Sequence, residues 1–310
     1  MRISALPSLG VLLMGLATPA PSDGQVRNRL NEARLQHGAI TASTPFNLRT
    51  MVKGKRIVRI GGLKALFKPP SPTRVHGIRP YTDARRERAV YVAACEMGLD
   101  VAPPTVLRKH RGKLGSIQLW VRGAPGSSLV DWGKIDTAST ELQFKASGRV
   151  WGTFNTGRIA RLDWDSVHAA AILDYVTNGR DRHFNNFLTY EQAGRLKIMT
   201  IDSGIAFAPP RDRSMKLELK TALHELVLVG ARVAGQRSLS AGLAAKLRDT
   251  SEDRLARRLR QAGLSGTEVR GAIHRLRHVK RLGLAAPFRR PVSGLPAEIA
   301  AEGRRLLGDE

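Results

Sequence analysis

The sequence predicts an α+β protein with two lobes, in which a small antiparallel sheet carrying one helix precedes a mainly helical part. Strand-like alternation and glycine turns are concentrated between residues 51 and 122, around a single amphipathic segment. After Gly123-Ala124-Pro125-Gly126 helical periodicity dominates, and one hairpin interrupts it. We therefore predict an N-terminal lobe at 51–122 and a helical C-terminal lobe at 123–310.

Local patterns predict the elements of the N-terminal lobe. Alternating apolar residues on both sides of Gly61-Gly62 predict two paired strands, and Pro69-Pro70 ends the second one because proline cannot donate to a ladder. A helix is predicted at 83–98. Two further strands are predicted at 101–107 and 115–121, joined by a basic turn.

The C-terminal lobe is predicted to contain one hairpin and several helices. A turn at Ala193-Gly194 separates predicted strands at 187–190 and 196–201, and an apolar helix at 165–177 precedes them. Further helices are predicted near 139–152, 215–235, 239–248, 251–262 and 266–280.

The segment before the first lobe divides into two parts. Residues 1–22 contain an apolar run at Leu9–Ala17 that is too short to span a bilayer and ends in a small-x-small pattern, as in a secretory signal peptide. Pro7 and a single basic residue argue against that reading. A signal peptide would direct the protein to secretion or the periplasm, and without one it would be cytoplasmic. Residues 23–50 are predicted to be a linker with one short helix.

The composition is that of a globular protein with an unusual charge. The chain has 310 residues and 42% hydrophobic content, enough for a substantial core. Its net charge of +25 predicts attraction to an acidic protein segment, an anionic membrane surface or, less favoured, nucleic acid. Much of the excess is arginine near the C-terminus, as in 254–260, and a solvated helix face is the alternative reading. A single cysteine, Cys95, excludes an intramolecular disulfide framework.

Three polar residues have a spacing that suits phosphoryl transfer from a nucleotide. Asn186 follows Asp181 by five residues, and Asp202 lies sixteen residues further on. In this chemistry one Asp orients the acceptor hydroxyl and takes its proton, while an Asn and a second Asp hold divalent metals on the phosphates. We assign Asp181 as the base and Asn186 with Asp202 as metal ligands. Asn185 is an alternative ligand, and His183 either contacts the acceptor or packs structurally.

Lys68 and Glu87 complete this set from the N-terminal lobe. Lys68 ends an apolar strand, and Glu87 lies nineteen residues later on the predicted helix. Kinases pair a strand lysine with a helix glutamate so that the lysine can hold nucleotide phosphates. Glu96 on the same helix is the alternative partner.

Two further pairs of residues are candidates for nucleotide binding. Gly61 and Gly62 form the glycine turn nearest to the predicted strand lysine, and we expect them to cover the phosphates. Trp120 and Val121 precede the predicted lobe boundary, where adenine would lie between the lobes. Ordinary packing within a strand is the alternative for the second pair.

The stretch from Ala65 to Phe207 resembles the atypical kinases of the phosphatidylinositol 3-/4-kinase-like superfamily. It is closest in pattern to the secretory-pathway kinases (the Golgi casein kinase and four-jointed group) and to the type II phosphatidylinositol 4-kinases. The resemblance rests on these blocks: Phe67-Lys68-Pro69, Arg86-Glu87-Arg88-Ala89, Val101-Ala102-Pro103-Pro104-Thr105-Val106, Gly115-Ser116-Ile117-Gln118, Leu173-Asp174-Tyr175, Asp181-Arg182-His183 and Ile201-Asp202-Ser203-Gly204-Ile205-Ala206-Phe207.

This resemblance implies a two-lobed protein-kinase-like fold that uses ATP with Mg²⁺ or Mn²⁺. It implies that Lys68 contacts the phosphates, that Asp181 is the catalytic Asp and that Asp202 binds metal. Asp181-Arg182-His183 is more like the secretory protein kinases, whereas Asn186 is more like the lipid kinases. The chain also has Asn178-Gly179 where the family commonly has the reverse order.

Three functions are consistent with these residues. The first is a metal-dependent kinase that phosphorylates a protein hydroxyl, in an acidic context that would match the basic chain. The second is a lipid or other small-molecule kinase, with the basic C-terminal helices on an anionic membrane. The third is a catalytically degenerate kinase-like module that holds nucleic acid or an acidic partner. No sequence feature indicates an oligomer.

Overall fold

The structure is a computed structural model, and it starts the fold earlier than the sequence predicts. The predicted signal peptide at 1–22 lies outside the described residues. Helix α1 (Asp23–His37) and strand β1 (Ile40–Pro45) occupy the predicted linker. The described residues are 23–46, 54–70, 84–133, 143–146, 149–179, 182–207, 222–289 and 297–307.

Five antiparallel strands form the sheet of the N-terminal lobe within the described residues, in the order β1-β2-β3-β5-β4. The sheet contains two hairpins whose strands are connected by tight turns. Gly61 and Gly62 have φ angles of 52° and 81°, and Arg111 and Gly112 have 51° and 76°. The second turn therefore lies within the predicted basic turn, and the two strands flanking it are shifted from their predicted bounds. The strands are β2 (Arg56–Ile60), β3 (Leu63–Lys68), β4 (Thr105–His110) and β5 (Lys113–Leu119).

Helix α1 covers one face of this sheet, so the linker prediction is wrong. Leu35 is fully buried in an apolar cluster whose sheet members are Val58, Ile60, Ala65, Phe67, Val106 and Ile117. Arg108 adds hydrogen bonds to the carbonyl oxygens of Leu35, at 3.0 Å, and Gly38, at 2.7 Å. Contacts with a sheet distant in sequence decide the structure here, and a weakly patterned helix does not reveal them.

The opposite face of the sheet carries helix α2 (Ala84–Glu96), which confirms the predicted helix. Side chains alternate between the two faces of a strand, so Lys68 points away from Phe67 and the α1 face. Lys68 meets α2 through Glu87. The candidate site therefore lies on the α2 face.

Two small sheets accompany the helices of the C-terminal lobe in the described part of the chain. One has the order β11-β10-β6 and contains the predicted hairpin, and the other has the order β7-β9-β8. The helix predicted at 139–152 is wrong for the described residues, because 143–146 and 149–154 pair as strands. The strands are β6 (Ala124–Pro125), β7 (Val130–Trp132), β8 (Gln143–Ala146), β9 (Arg149–Phe154), β10 (Phe187–Gln192) and β11 (Arg195–Thr200).

Five of the remaining helices, at 164–177, 222–233, 241–249, 252–261 and 266–282, lie where the sequence predicts helices, whereas those at 156–160, 286–289 and 297–307 were not predicted. Helix α4 lies at the centre of the main hydrophobic core, where residues from Val167 to Val176 are buried. The predicted residues 215–221 lie outside the described part. The helices are α3 (Thr156–Ala160), α4 (Trp164–Thr177), α5 (Ala222–Val233), α6 (Ala241–Asp249), α7 (Glu252–Gln261), α8 (Gly266–Leu282), α9 (Ala286–Arg289) and α10 (Ala297–Leu307).

Ion pairs fix α2 to the C-terminal helices as well as to the sheet. Arg86 Nη2 lies 2.9 Å from Glu268 Oε1 on α8. At the other end of α2, Glu96 binds Arg254 and Arg258 of α7 at 2.7 and 3.3 Å. Helix α2 is thus held by both lobes.

Among the described helices, none combines the length and the apolar character that crossing a membrane requires.

Candidate active site

Lys68 and Glu87 form a buried ion pair beneath the N-terminal sheet, as the sequence predicts. The distance from Lys68 Nζ to Glu87 Oε1 is 2.9 Å, and the exposed fractions of the two side chains are 5% and 1%. Gly115 permits the strand packing around Lys68, because a Cβ there would lie 2.5 Å from the Lys68 carbonyl oxygen. Glu96, the alternative partner, binds Arg254 and Arg258 instead.

Asp202 joins this pair from the C-terminal lobe. Its Oδ1 lies 3.1 Å from Lys68 Nζ, and 37% of its side chain is exposed. Burial opposes the charge of Lys68, but Asp202 and Glu87 outweigh it and raise the pKa of Lys68 above its ordinary value. Lys68 is in turn the main cause that holds the pKa of Asp202 far below its ordinary value, against the effect of burial. Lys68 and Asp202 are therefore both charged near neutral pH.

Lys55 is a second lysine at Asp202, and the sequence interpretation missed it. Its Nζ lies 3.9 Å from Asp202 Oδ2, with 8% of its side chain exposed. Burial lowers the pKa of Lys55, against the attraction of Asp202. The β2–β3 register could have found this residue: Arg56 pairs with Phe67, so the next pair outward is Lys55 with Lys68.

The backbone of Asp202 is in the left-handed region, with φ of 56°. Few residues other than glycine adopt this conformation, although Asp tolerates it better than most. Such strain persists where surrounding contacts determine the conformation, and it is concentrated at functional sites. The segment after β11 therefore turns sharply, and Asp202 lies against the lysines.

The structure brings Asn186 next to the Asp202 segment. The amide of Ile201 donates to the Asn186 carbonyl oxygen at 2.9 Å, which continues the pairing of Phe187 with Thr200. Asn186 is buried, whereas Asn185 is exposed. His183 Nδ1 accepts a hydrogen bond from the Asn185 amide at 3.1 Å and so caps the short 3₁₀ turn 184–186, which is a structural role.

Asp181, the predicted base, lies outside the described residues. The next residue, Arg182, is buried and binds Asp174 of α4 with Nε to Oδ2 at 2.8 Å. The same guanidinium donates to the carbonyl oxygens of Asn186 and Ile201 and to Ser203 Oγ. The sequence interpretation gave no role to Asp174 or Arg182.

The reversed pair Asn178-Gly179 fits the turn at the end of α4. Asn178 has φ of 51° and ψ of 50°, the left-handed conformation that commonly follows a helix and that Asn accepts. A Cβ at position 179 would lie 2.8 Å from Asp174 Oδ1. The order in this chain therefore suits its geometry.

The prediction for Gly61 and Gly62 is wrong in this structure. They form the turn between β2 and β3, at the end of the hairpin opposite Lys68. The six residues from Leu63 to Lys68 span about 17 Å as an extended strand, so this turn cannot cover phosphates bound by Lys68. At the end of the hairpin that carries Lys68, the described residues directly before β2 are Gly54 and Lys55.

Trp120 lies on the same sheet face as Lys68, roughly 13 Å further along the strand. Its amide donates to the Lys64 carbonyl oxygen at 2.9 Å, and the Lys64 ammonium lies 4.1 Å from the indole centroid. Phe46 packs edge-on against it with centroids 5.9 Å apart. Val121 follows and is half-buried. The binding of adenine by Trp120 and Val121 stays a prediction.

The side chains present fit a divalent cation that is shared with phosphates. No group of three or more His, Cys, Asp and Glu suited to a metal occurs among the described residues. Asp202 and Asn186 offer oxygen donors, which Mg²⁺ and Mn²⁺ prefer, and Mg²⁺ commonly uses one or two protein carboxylates together with substrate phosphates. Buried Glu87 Oε2 also lacks a hydrogen-bond partner within the described residues.

The sequence matches no protein-family model and no curated protein. Solved structures do resemble the chain. The Golgi casein kinase matches with a TM-score of 0.52 and 14% identity over 89% of this chain and 84% of that one. Hydra Fam20 with sugar matches with a TM-score of 0.54 and 13% identity over 89% and 93%.

The chain has a two-lobed, kinase-like fold. The Golgi casein kinase with Mn and ADP bound is a further match, with a TM-score of 0.50 and 14% identity over 88% of this chain and 83% of that one. At these identities the similarity establishes the fold. Membership of the phosphatidylinositol 3-/4-kinase-like superfamily and the similarity to its lipid kinases stay predictions.

Proposed function

We propose that this protein is a metal-dependent phosphotransferase that moves the γ-phosphate of ATP to a hydroxyl group of a protein. The observation that carries this proposal is the contact of Lys68 with both Glu87 and Asp202, at 2.9 and 3.1 Å. These residues come from the sheet, from α2 and from the segment after β11. Kinases need this lysine–glutamate pair and metal-binding Asp in place together.

Each group has a role in this proposal. Lys68, oriented by Glu87, and Lys55 would bind the phosphates, while Asp202 and Asn186 would hold the metal. The site has two lysines and two carboxylates, so it has no excess of basic groups and would take up the polyanionic nucleotide together with its cation. When bound, the metal would neutralise charge on the β- and γ-phosphates.

The transfer would follow the usual in-line course. The acceptor oxygen attacks the γ-phosphorus, and the bond from that phosphorus to the β–γ bridging oxygen breaks. ADP leaves with the electron pair of that bond. Asp181, which directly precedes Arg182 in sequence, would take the proton of the acceptor hydroxyl.

Two observations favour an acidic protein as the acceptor. The net charge of +25 would attract an acidic segment. One structural neighbour is a Golgi casein kinase, and another structure of that kinase holds Mn and ADP. A lipid acceptor is the alternative, as is a degenerate module that binds nucleic acid or an acidic partner without transfer.

Nucleotide binding is tested first by thermal unfolding with and without Mg²⁺ or Mn²⁺ and ATP. A ligand at one hundred times its dissociation constant stabilises a protein by about 2.7 kcal/mol, which corresponds to roughly 5–10 °C for a domain of this size. We expect this shift in the native protein and in Lys109→Ala, which removes an exposed lysine of the same sheet. Lys68→Ala and Asp202→Ala should lose it. A native protein that shows no shift with either metal would not be a kinase.

The acceptor is tested next with radiolabelled ATP. The purified protein is incubated with dephosphorylated casein, with anionic liposomes containing phosphatidylinositol, and with neither. Label in casein supports the proposal, whereas label in lipid supports the alternative. Nucleotide binding without transfer to either acceptor, together with salt-sensitive nucleic-acid binding that Asp202→Ala leaves intact, would indicate the degenerate module.

A further inference from the structure

We propose that Arg182, held by Asp174, is a positioning residue that fixes the two metal-binding segments relative to each other. This inference rests on the proposed function, because it concerns the segments that carry Asn186 and Asp202. The Arg182 guanidinium contacts the backbone of both segments at or next to the residues that carry the proposed ligands.

The guanidinium contacts both segments at once. Nη1 donates to the carbonyl oxygen of Asn186 itself and to that of Ile201, the residue before Asp202. Nη2 donates to Ser203 Oγ, the residue after Asp202, at 3.1 Å. One planar group thereby fixes the peptide planes beside both proposed ligands.

Asp174 fixes the guanidinium in turn. It accepts from Nε at 2.8 Å and from Nη2 at 2.9 Å, so the pair is bidentate. An arginine side chain has five N–H donors, and these contacts together with those to the two segments employ all of them. Asp174 is buried in the last turn of α4, so the orientation of the guanidinium is set by a helix that is packed in the core of the lobe.

The local backbone is shaped around this pair. Gly179 leaves the space that Asp174 Oδ1 occupies, and its amide donates to the Asp174 carbonyl oxygen at 2.7 Å. The Phe207 amide donates to the Thr177 carbonyl oxygen at 2.6 Å, which ties the segment after Asp202 to the same end of α4. The end of α4 and both metal-binding segments therefore form one hydrogen-bonded unit.

Stability alone is a weak reason for such a pair. The exposed fractions of the Arg182 and Asp174 side chains are 5% and 1%. Withdrawing two charges from water costs about as much as their attraction returns, so a well-packed apolar pair is often as stable. What an apolar pair cannot do is hold two carbonyl oxygens and a hydroxyl at fixed angles. Lysine cannot do this either, because its ammonium lacks the planar fork.

The test compares Arg182→Lys with Arg195→Lys, a matched change at an exposed arginine of β11. The first measurement is Mn²⁺ affinity in the presence of ADP, from the spin-resonance signal of free Mn²⁺. We expect Arg182→Lys to weaken it at least tenfold, with metal-free ADP affinity changed less than threefold. Arg195→Lys should match the native protein in both.

The second measurement is amide hydrogen exchange, which needs no ligand. We expect Arg182→Lys to speed exchange at Ile201 and Phe207 at least tenfold, with the amides of α8 unchanged. Native exchange rates at both positions, or equal acceleration throughout the protein, would overturn the proposal. A native protein that binds no Mn²⁺ and ADP would refute the proposed function, and the exchange result would still decide the role of Arg182.

Ser203→Ala covers the case in which Arg182→Lys does not fold. It removes one hydrogen bond of the guanidinium and leaves the ion pair intact. We expect a two- to threefold acceleration of exchange at Ile201 and no change in α8. An unchanged rate at Ile201 would count against the proposal.

Discussion

Two buried charge clusters lie within a few residues of each other in this protein, and they differ in how completely their polar atoms are satisfied. In the cluster of Lys68, Glu87 and Asp202, Glu87 Oε2 has no hydrogen-bond partner among the described residues, and Asp202 is 37% exposed. In the other cluster, Arg182 uses all of its donors on Asp174, on two backbone carbonyl oxygens and on the Ser203 hydroxyl. The first cluster has polar atoms left for a ligand, and we call it the open cluster. The second has none, and we call it the closed cluster.

The difference separates binding from positioning. An unsatisfied buried polar group costs free energy unless something binds it, so it marks a place where a ligand can contribute. A fully satisfied network specifies one arrangement of the chain. Ser116, whose hydroxyl also lacks a partner in the described part of the chain, pairs across the strands with Lys68 and adds to the first cluster. Mutations in the first cluster should therefore act mainly on binding and transfer, whereas mutations in the second should lower stability and affect metal binding only through the position of the ligands.

The largest effect is expected from Asp202→Asn in the open cluster. Loss of the metal-binding charge should lower the transfer rate at least about 1,000-fold, equivalent to roughly 4 kcal/mol of barrier. Its half-exposed position should leave the free energy of unfolding, measured in urea, much closer to the native value than Asp174→Ala does. A large loss of stability together with a small loss of rate would remove the distinction between the clusters.

Asp174→Ala tests the closed cluster. It leaves the buried Arg182 charge unpaired, and such a change typically lowers the free energy of unfolding by about 3–5 kcal/mol. The measurement is urea unfolding followed by circular dichroism, with Asp165→Ala near the start of α4 as the comparison on the same helix. A loss below about 1 kcal/mol would show that Asp174 does not hold a desolvated charge.

His168 and His224 are buried polar groups that belong to neither cluster, and they serve as a comparison for both. Their ring nitrogens have no hydrogen-bond partners in the described residues. Burial lowers the pKa of each to about 4, against the attraction of Asp165 for His168 and of Asp174 for His224. The unfolded chain binds these protons near pH 6.5, so stability is complete above that pH and falls between 6.5 and 4.

Each histidine should therefore cost about 2 kcal/mol of stability at pH 5 relative to pH 7. The measurement is urea unfolding at the two pH values for the native protein, His168→Leu and His224→Leu. Each replacement should reduce the difference in unfolding free energy between pH 7 and pH 5 by the contribution of the histidine that it removes. Equal slopes in all three proteins would mean that other groups cause the acid sensitivity.

The smallest effect is expected from Arg254→Gln, which breaks an exposed ion pair with Glu96 on α2. Such pairs contribute about 0.5 kcal/mol, and salt screens them. The difference in unfolding free energy from the native protein should shrink when NaCl is raised from 0.05 to 0.5 M. A difference above about 1.5 kcal/mol at high salt would indicate that the pair acts through packing.

Local sequence patterns predicted strands β2 to β5, the β10–β11 hairpin, the main helices and the Lys68–Glu87 pair, because alternation and fixed spacing carry that information along the chain. They were wrong at β8 and β9, where they indicated a helix. They failed for α1, whose place depends on the burial of Leu35 against distant strands. They also failed for Gly61 and Gly62, because a glycine turn alone does not reveal which end of a hairpin faces the site. The direction of the strands decides that question.

Lys55 and Arg182 were missed for a related reason. An isolated Lys or Arg in a chain of this charge is most often exposed, and only the folded chain shows that these two are buried. For Lys55 the hairpin register was a usable signal. Arg182 and Asp174 both lie in blocks that carry the family resemblance, but the sequence did not indicate a role for Arg182, since the carbonyl oxygens that it binds carry no residue identity.

The attachment of α2 to both lobes has a thermodynamic consequence. Glu87 faces the cleft that contains Lys68 and Asp202, while Arg86 and Glu96 bind α8 and α7 on the other sides of this helix. If a cleft ligand favours one setting of α2, the contacts with α7 and α8 change with it. A molecule that binds α7 and α8 in that setting must then strengthen the cleft ligand by the same factor, because coupling free energies are reciprocal. Binding to the arginine-rich surface of α7 and α8 would thereby change the affinity of the cleft for its ligand.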